Sequence, residues 1–232
     1  MRMSYRPTIE VTGWPVGSHI AVPAFSLYPS AMTATVLIRP STDDDVPAML
    51  DIYRSHVHRG VDDLLGPEEE PFEIEDLKKR RKNMKKRRLP HLVAETGGQV
   101  VGYAYAVPFR KRPAYRYTVK HSIYMHGGFL HAGIGRLLLP ALIEACAAAG
   151  YLQMIGYIDA TNAPSLRLHE ACGFVRVGLL PSVGFKYGRW TDSVMMQRPL
   201  GPGDSAPPRP WEGAAPSPPP EAPPLTVTPD RA

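Results

Sequence analysis

Cysteine is nearly absent. Cys146 and Cys172 are the only two in 232 residues, they lie far apart, and neither opens a C-x-x-C pair. A disulfide framework and a thiolate metal site are thereby excluded, and reduced thiols fit best. Long apolar runs are missing as well. The longest, Leu137 to Ile143, is interrupted by Pro140 and ends at Glu144, far short of the ~20 residues a membrane helix needs. The N-terminal segment lacks a signal-peptide apolar region. Arg2 and Arg6 hint at a transit peptide, but Glu10 and scattered prolines argue against one. His19, His56, His58 and His91 have no companions at metal-ligand spacing and read as surface or capping residues. No internal repeat is visible. These absences point to a cytoplasmic protein with no metal and no membrane partner.

What is present is an ordinary globular composition, 44% hydrophobic and 21% charged, which excludes wholesale disorder. The formal net charge of +5 superficially suggests an anionic partner. Residues 78–88, KKRRKNMKKRR, supply nine of the 27 cations and no carboxylate; without them 18 cations face 22 acids, a balance of −4. The run reads either as a nuclear-localisation or nucleic-acid patch or as a solvated helix. No aromatic residue interleaves with it, so base stacking is unsupported. Acids at Glu68, Glu69, Glu70, Glu73, Glu75 and Asp76 precede it, which matches the helix dipole and favours the solvated helix.

Along the chain, residues 1–35 show many breakers and no period, as in a flexible extension. Residues 201–232 hold 11 of the 26 prolines and read as a disordered tail. Between them, Val36 to Arg39 predicts a strand. Ser41-Thr42-Asp43 gives capping chemistry, and Val46, Met49, Leu50, Tyr53 and Val57 follow at helical spacing. A second helix is predicted from Ile74 to Arg88, a hairpin over 92–107 around Thr96-Gly97-Gly98-Gln99, a strand from His121 to Met125 and an apolar helix from Gly135 to Ala149. Gln153 to Ile158 reads as a strand, Asn162-Ala163-Pro164-Ser165 as a helix start, and Val175 to Leu179 and Ser193 to Gln197 as final strands. The order β-α-α-β-β-β-α-β-α-β-β predicts a mixed α/β sheet in one domain over residues 36–200.

Two segments carry chemistry. His131-Ala132-Gly133-Ile134-Gly135-Arg136 lies between a strand and a long helix. Glycines there let successive backbone N–H groups converge, and with a helix N-terminus they can cradle a pyrophosphate. The spacing is equally that of a plain turn, since Leu138 stands where a dinucleotide fingerprint has its third glycine. Asn162 through Phe174, NAPSLRLHEACGF, puts Asn162 at a helix start and His169 two turns on, roughly on one side. A capping Asn and a packed His would look the same.

Taken together, these segments resemble the GNAT (Gcn5-related) N-acetyltransferase superfamily, and residues 37–200 resemble its phosphinothricin N-acetyltransferase-like subfamily. The segments that carry the likeness include IRPST at 38–42, EEEP at 68–71, LVAE at 92–95, VVGYAYAVPFRKRPAYRYTV at 100–119, HSIYM at 121–125, GIGRLLLPALI at 133–143, NAPSLRLHEACGF, and VGFKYGRWTDSVMMQRPLG at 183–201. The resemblance implies an acyl-CoA N-acyltransferase fold with a mostly antiparallel sheet splayed at the acetyl-CoA site. It implies acetyl transfer from acetyl-CoA to a small amine or amino-acid analogue such as phosphinothricin or methionine sulfoximine, and a homodimer. Backbone groups of Ile123, Tyr124 and Met125 would bond pantetheine and the thioester carbonyl, an interaction typically worth a few kcal/mol in such chemistry. His131, Ala132, Gly133, Ile134, Gly135 and Arg136 would take the pyrophosphate, Asn162 the CoA arm, and His169 a catalytic role in proton traffic. Phe109, Arg110, Lys111, Val119, Lys120 and His121 fall in the substrate-lining segments, where Arg110 and Arg112 suit a carboxylate or phosphinate. Trp190 would wall the pocket.

Three departures from the subfamily cluster together. Lys120 follows Thr118-Val119 where the subfamily has a general-base glutamate. Gly127-Gly128-Phe129 replaces a Pro-Asp/Glu-His turn. Leu130 and His131 replace the polar residues that open the phosphate loop. Either His121, Glu95 or a water chain takes over as base, with Lys120 serving a changed substrate, or the fold persists as a catalytically weakened CoA-binding or interaction module.

Overall fold

The computed structural model describes residues 36–59, 73–186, 188–205 and 207–208. The expected N-terminal extension, Gly60, Glu68, Glu69, Glu70, and nearly all of the proline-rich tail lie outside the described residues.

Apolar residues at alternate positions make a seven-stranded sheet, and the helices bury one stripe each against it. In chain order the elements are β1 (Val36–Pro40), α1 (Val46–Arg59), α2 (Ile74–Lys86), β2 (His91–Thr96), β3 (Gln99–Pro108), β4 (Thr118–Met125), α3 (Gly135–Ala148), β5 (Gln153–Asp159), α4 (Ala163–Ala171), β6 (Val175–Lys186) and β7 (Arg189–Pro199). The order of elements is the one the sequence predicts. The strands lie β1-β2-β3-β4-β5-β7-β6, antiparallel at every pairing except β4–β5.

The two faces bury different sets. Val46, Met49, Ile52 and Tyr53 of α1 meet Val93, Tyr103 and Tyr124 on one face. Leu138, Leu139, Leu142 and Cys146 of α3 meet Leu92, Ala94, Ala104 and Val119 on the other, joined by Leu166 of α4 and by Phe174. The alternation of Leu92/Val93/Ala94 and Tyr103/Ala104 between these two clusters is the two-residue period of a strand buried on both sides.

Thr42 and Asp45 close a capping box at the start of α1's entry turn. The Thr42 N–H and Oγ1–H both donate to Asp45 Oδ2, at 2.6 and 3.0 Å, and Arg39 Nη1 and Nη2 reach the same carboxylate at 2.8 and 2.7 Å. Burial alone would push Asp45 up, but the hydrogen bonds of Arg39 and Thr42 hold its carboxyl below the usual range. On α2, Met84 is buried, and Arg81 turns inward to Asp43 and the Ser41 carbonyl at 2.8 Å. The packing therefore supports the solvated-helix reading of the basic run. Two histidines assigned to the surface are inside. His91 stacks beside Tyr105 at 5.4 Å, and His56 packs edge-on to Tyr124. Among the described residues, no helix is long and apolar enough to cross a membrane.

Candidate active site

The sheet forks where β4 and β5 meet. Their parallel pairing covers only Thr118↔Gln153, Val119↔Met154 and Lys120↔Ile155, while β4 runs on beside β3 to Met125. The Phe109 N–H bonds the Thr118 carbonyl, and the His126 N–H bonds the Val101 carbonyl. That fixes the ladder's phase: even-numbered β4 residues aim their backbone groups at β3, and residues 119, 121, 123 and 125 aim theirs at β5. Beyond the fork, Ile123 therefore presents its N–H and C=O to the gap without a strand partner. Met125 does the same, and His56 of α1 reaches it, with Nε2 2.7 Å from Met125 O and 3.2 Å from Met125 N.

Tyr124 is placed differently from its expected cofactor role. Its backbone faces β3, and its ring stacks on Tyr103 at 4.8 Å inside the α1 face. Its backbone is paired and its ring is packed. Val119, expected at the substrate, is wholly buried in the α3-side core.

At the far end of β4 the chain turns through Gly127–Phe129, closed by a Gly128 N–H bond to His126 Nδ1 of 3.1 Å, and enters α3. Gly133 has φ +79°, where a side chain would be strained, and His131 adopts φ 65°. Ile134 buries its side chain as an anchor, while His131, Ala132, Gly133 and Arg136 stay exposed. No side chain caps α3. The amides of Gly133, Ile134 and Gly135 have no protein acceptor among the described residues. Three free N–H groups at a helix N-terminus beside Arg136 are a donor set that fits a pyrophosphate.

The inner end of the fork holds two imidazoles. His121, on the α3 side of β4, and His169, on the inward stripe of α4, are 4% and 2% exposed. Their Nε2 atoms stand 2.9 Å apart. His121 Nδ1 lies 3.1 Å from the Ile155 carbonyl and His169 Nδ1 2.7 Å from the Ser165 carbonyl. Phe174 covers both rings at 5.2 Å. Gly156 leaves room beneath them, since a Cβ there would meet His121 Cε1 at 2.9 Å. Burial first, then the neighbouring His169, pushes His121 down to about 3, and burial lowers His169 as well.

The other expected residues are distributed around this centre. Lys120 sits one residue before His121, so strand alternation puts it on the opposite, α1-side face, paired across the ladder with Val107. Glu95 drops out as a base: it is two strands from β4, and Arg39 holds its carboxylate at 2.8 Å. Arg110 is exposed, with its guanidinium 5.2 Å from the Phe109 ring and 5.4 Å from the Tyr115 ring, while Lys111 projects into solvent. Arg112 opens the short helical turn Pro113–Tyr115 before β4. Asn162 caps α4, its Oδ1 accepting from the Ser165 N–H at 3.1 Å. Trp190 is 63% exposed on the β6–β7 hairpin, edge-on to Phe185 at 5.3 Å.

The His121–His169 pair, His56 on the Met125 backbone and the space at Gly156 were not foreseen from sequence. The signal available for the first was positional: His121 shares the parity of buried Val119, and His169 lies three residues from buried Leu166.

Comparison with known proteins bears on the family and the fold. The profile of the acetyltransferase (GNAT) family matches residues 57–174. Phosphinothricin N-acetyltransferase of Alcaligenes faecalis is 44% identical over 169 residues, 72% of this chain and 84% of that protein. L-methionine sulfoximine/L-methionine sulfone acetyltransferase of Salmonella typhimurium is 42% identical over 111 residues, 48% of this chain and 65% of its own. Among solved structures, a phosphinothricin acetyltransferase from Sinorhizobium meliloti in complex with acetyl-CoA aligns with a TM-score of 0.71 at 40% identity, covering 80% of this chain and 97% of that one.

Proposed function

The chain belongs to the acetyltransferase (GNAT) family, and from that premise we propose that it moves the acetyl group of acetyl-CoA to the primary amine of a small amino-acid-like substrate. It is an acetyl-CoA-dependent N-acetyltransferase, and relatives named for phosphinothricin and methionine sulfoximine support that substrate class. The observation that carries the proposal is the fork: unpaired backbone of β4 at Ile123, ending in a glycine turn with free amides at a helix N-terminus.

Bound acetyl-CoA supplies the activated acetyl group as a thioester. The amides of Gly133, Ile134 and Gly135, with Arg136 and His131 beside them, hold its pyrophosphate, and Ile123 holds the pantetheine through its backbone groups, those of Met125 being met by His56. The Ile123 N–H polarises the thioester carbonyl, and a preorganised donor of this kind contributes roughly 3 kcal/mol. Asn162 contacts the CoA arm from the start of α4. On the opposite face, Lys120 and Arg110 attract the anionic head of the substrate. The Phe109 and Tyr115 rings flank the Arg110 guanidinium at 5.2 and 5.4 Å, and a guanidinium suits paired hydrogen bonds to a carboxylate or phosphinate. His121 and His169 supply the proton traffic that a carboxylate at position 120 would otherwise share.

A second copy of the chain is proposed as partner. β6 is an edge strand, and Val175, Val177, Leu179, Val183, Phe185 and Trp190 on and beside it are exposed, an apolar strip that a homodimer would cover. Cys146 and Cys172 are unpaired, which supports a cytoplasmic setting.

The test is CoA release by the purified chain with phosphinothricin, methionine sulfoximine and a panel of common amines. Turnover on an amino-acid analogue is the expected outcome. Tight acetyl-CoA binding with no turnover on any amine overturns the proposal.

A further inference from the structure

The buried stripe of α1 ends on a polar residue where it passes over the fork. Met49, Ile52 and Tyr53 pack against the sheet, and the same stripe next brings His56, 9% exposed, over Met125. A neighbouring strand would meet Met125 with a carbonyl and an N–H of its own. Here one ring nitrogen meets both groups: His56 Nε2 lies 2.7 Å from Met125 O and 3.2 Å from Met125 N. A ring nitrogen carries either a hydrogen or a lone pair, so it serves one of the two at a time. In either state the imidazole occupies the place where another partner of Met125 would have to lie.

The ring is held there from the side. Tyr124 stands edge-on to it at 5.6 Å and is itself stacked on Tyr103 at 4.8 Å. Met125 has independent support on its other flank. It pairs with Gly102 of β3, where an added Cβ would meet Met125 Sδ at 2.7 Å, and the next residue's N–H, that of His126, bonds the Val101 carbonyl at 2.8 Å. The outer end of β4 is thus fixed by β3 and covered by α1. What His56 changes is the number of backbone groups open to the fork. Without it, Ile123 and Met125 would offer their N–H and C=O groups at a two-residue spacing, a length of edge strand that a ligand carrying amides can pair with. With it, Ile123 alone remains.

We propose that His56 closes the coenzyme cradle at Met125, so that the pantetheine arm of acetyl-CoA pairs with β4 through Ile123 alone and is held less tightly than the open strand would hold it. The inference rests on the acetyl-CoA binding put forward above. His56 acts through the Met125 backbone and touches no reacting atom, which makes it a positioning residue. Acetyl-CoA and CoA carry the same arm, so closure loosens the hold on cosubstrate and product alike and speeds the departure of CoA.

Two experiments test it. In the first, binding of CoA and of acetyl-CoA to the full chain is measured by calorimetry without an amine, for wild type, His56→Ala and His56→Gln, beside a urea melt. His56→Ala uncovers Met125, and affinity for both coenzymes should rise about 10-fold, near what one added backbone hydrogen bond contributes, while the melt shows lower stability. Gln carries a donor and an acceptor on one amide, keeps Met125 covered and should bind within about 2-fold of wild type. Unchanged or weaker binding by His56→Ala overturns the proposal, because a packing role alone lowers stability without raising affinity. In the second, the ring nitrogens of His56 and the amides of Ile123 and Met125 are followed by 15N NMR as CoA is added to the wild-type chain. The Ile123 amide should shift, with His56 Nε2 and the Met125 amide unmoved. A large shift at His56 Nε2 means that the arm displaces the ring, and overturns the proposal; this measurement decides if His56→Ala fails to fold. A chain that binds CoA but acetylates no amine refutes acetyl transfer and leaves both tests standing. A chain that binds neither coenzyme overturns both readings.

Discussion

Replacing Gly156 by alanine perturbs the imidazole pair without touching either ring. A Cβ at 156 lies 2.9 Å from His121 Cε1 and 3.6 Å from both His121 Nε2 and His169 Cδ2. Carbon–carbon contacts are comfortable at ~3.5–4.0 Å, so the His121 ring must give way by about 0.6 Å to reach the lower limit. Its Nδ1 is tied to Ile155 on the neighbouring strand position, and Phe174 covers both rings. The contact with least support is therefore Nε2···Nε2. A shift of about 0.6 Å along it passes the ~3.2 Å limit of a nitrogen hydrogen bond. Overpacking of this kind costs about 1–3 kcal/mol of stability, or roughly 2–4 °C in Tm for each kcal/mol in a chain of this size. The fork's outer end and the α3 turn are untouched, so KM for acetyl-CoA stays at the wild-type value. The expected result is a folded Gly156→Ala variant whose kcat falls about 100-fold, read by CoA release at saturating substrates beside a urea melt. A variant that shows the destabilisation and keeps full kcat refutes the reasoning, because the pair would then be packing alone.

Three further outcomes follow from the same contacts. Asp45→Ala strands Arg39 and the Thr42 N–H around a vacated, buried carboxylate site; the loss is about 3 kcal/mol, the low end for a broken buried pair, because Arg39 is partly exposed, and a urea midpoint equal to wild type would count against it. Because Asp45 is held below its ordinary pKa, this contribution is complete above pH ~4 and is lost as the pH falls through the folded-state value. His91 is pushed down to about 4, by burial first and then by Arg81, so the unfolded chain binds its proton more readily between pH ~6.5 and 4; stability is full above that window and drops within it by on the order of 3 kcal/mol. His91→Phe keeps the stack on Tyr105 and should flatten that slope in urea melts at pH 7, 5.5 and 4.5, whereas an unchanged slope would assign the drop elsewhere. Arg110→Ala removes the guanidinium held by Phe109 and Tyr115; KM for an amino-acid analogue should rise at least 10-fold, about 1.4 kcal/mol, with KM for acetyl-CoA unchanged, and equal changes in both would rule out a substrate contact.

Element order was legible because each element carries its own period and its own stop. Thr42 and Asp45 mark a cap, Gly97-Gly98 a hairpin, and Val46, Met49, Leu50 and Tyr53 a helical stripe. Strand ends were read too short. β6 and β7 run to Lys186 and from Arg189, beyond the apolar cores at 175–179 and 193–197, since an edge hairpin is held by backbone pairing whatever its side chains. The candidate site was legible only in part. The glycine turn and the Asn162 cap are local, so spacing revealed them. The imidazole pair joins residues 48 apart in sequence, and the space for it is made by a third, Gly156; no local pattern encodes such a coincidence. Nor does a local pattern say that His56 reaches the Met125 backbone, 69 residues away.

Position 120, where the family resemblance implies a carboxylate, takes on a different weight once the faces of the sheet are separated. Strand alternation puts residue 120 on the α1 side, where the proposed mechanism brings in the amine, while residue 121 lies on the α3 side with His169. A carboxylate at 120 and an imidazole at 121 are therefore not alternatives competing for one place; they lie on opposite faces of β4. Loss of the carboxylate removes one route by which an ammonium group sheds its first proton, a step water can serve for the fraction of amine already neutral. It follows that Lys120→Glu should raise kcat/KM most at low pH, where neutral amine is scarce, and that the advantage should shrink as the pH approaches the pKa of the amine. A gain independent of pH would mean that Lys120 obstructs substrate binding, and no gain at any pH would mean that position 120 plays no part in deprotonation.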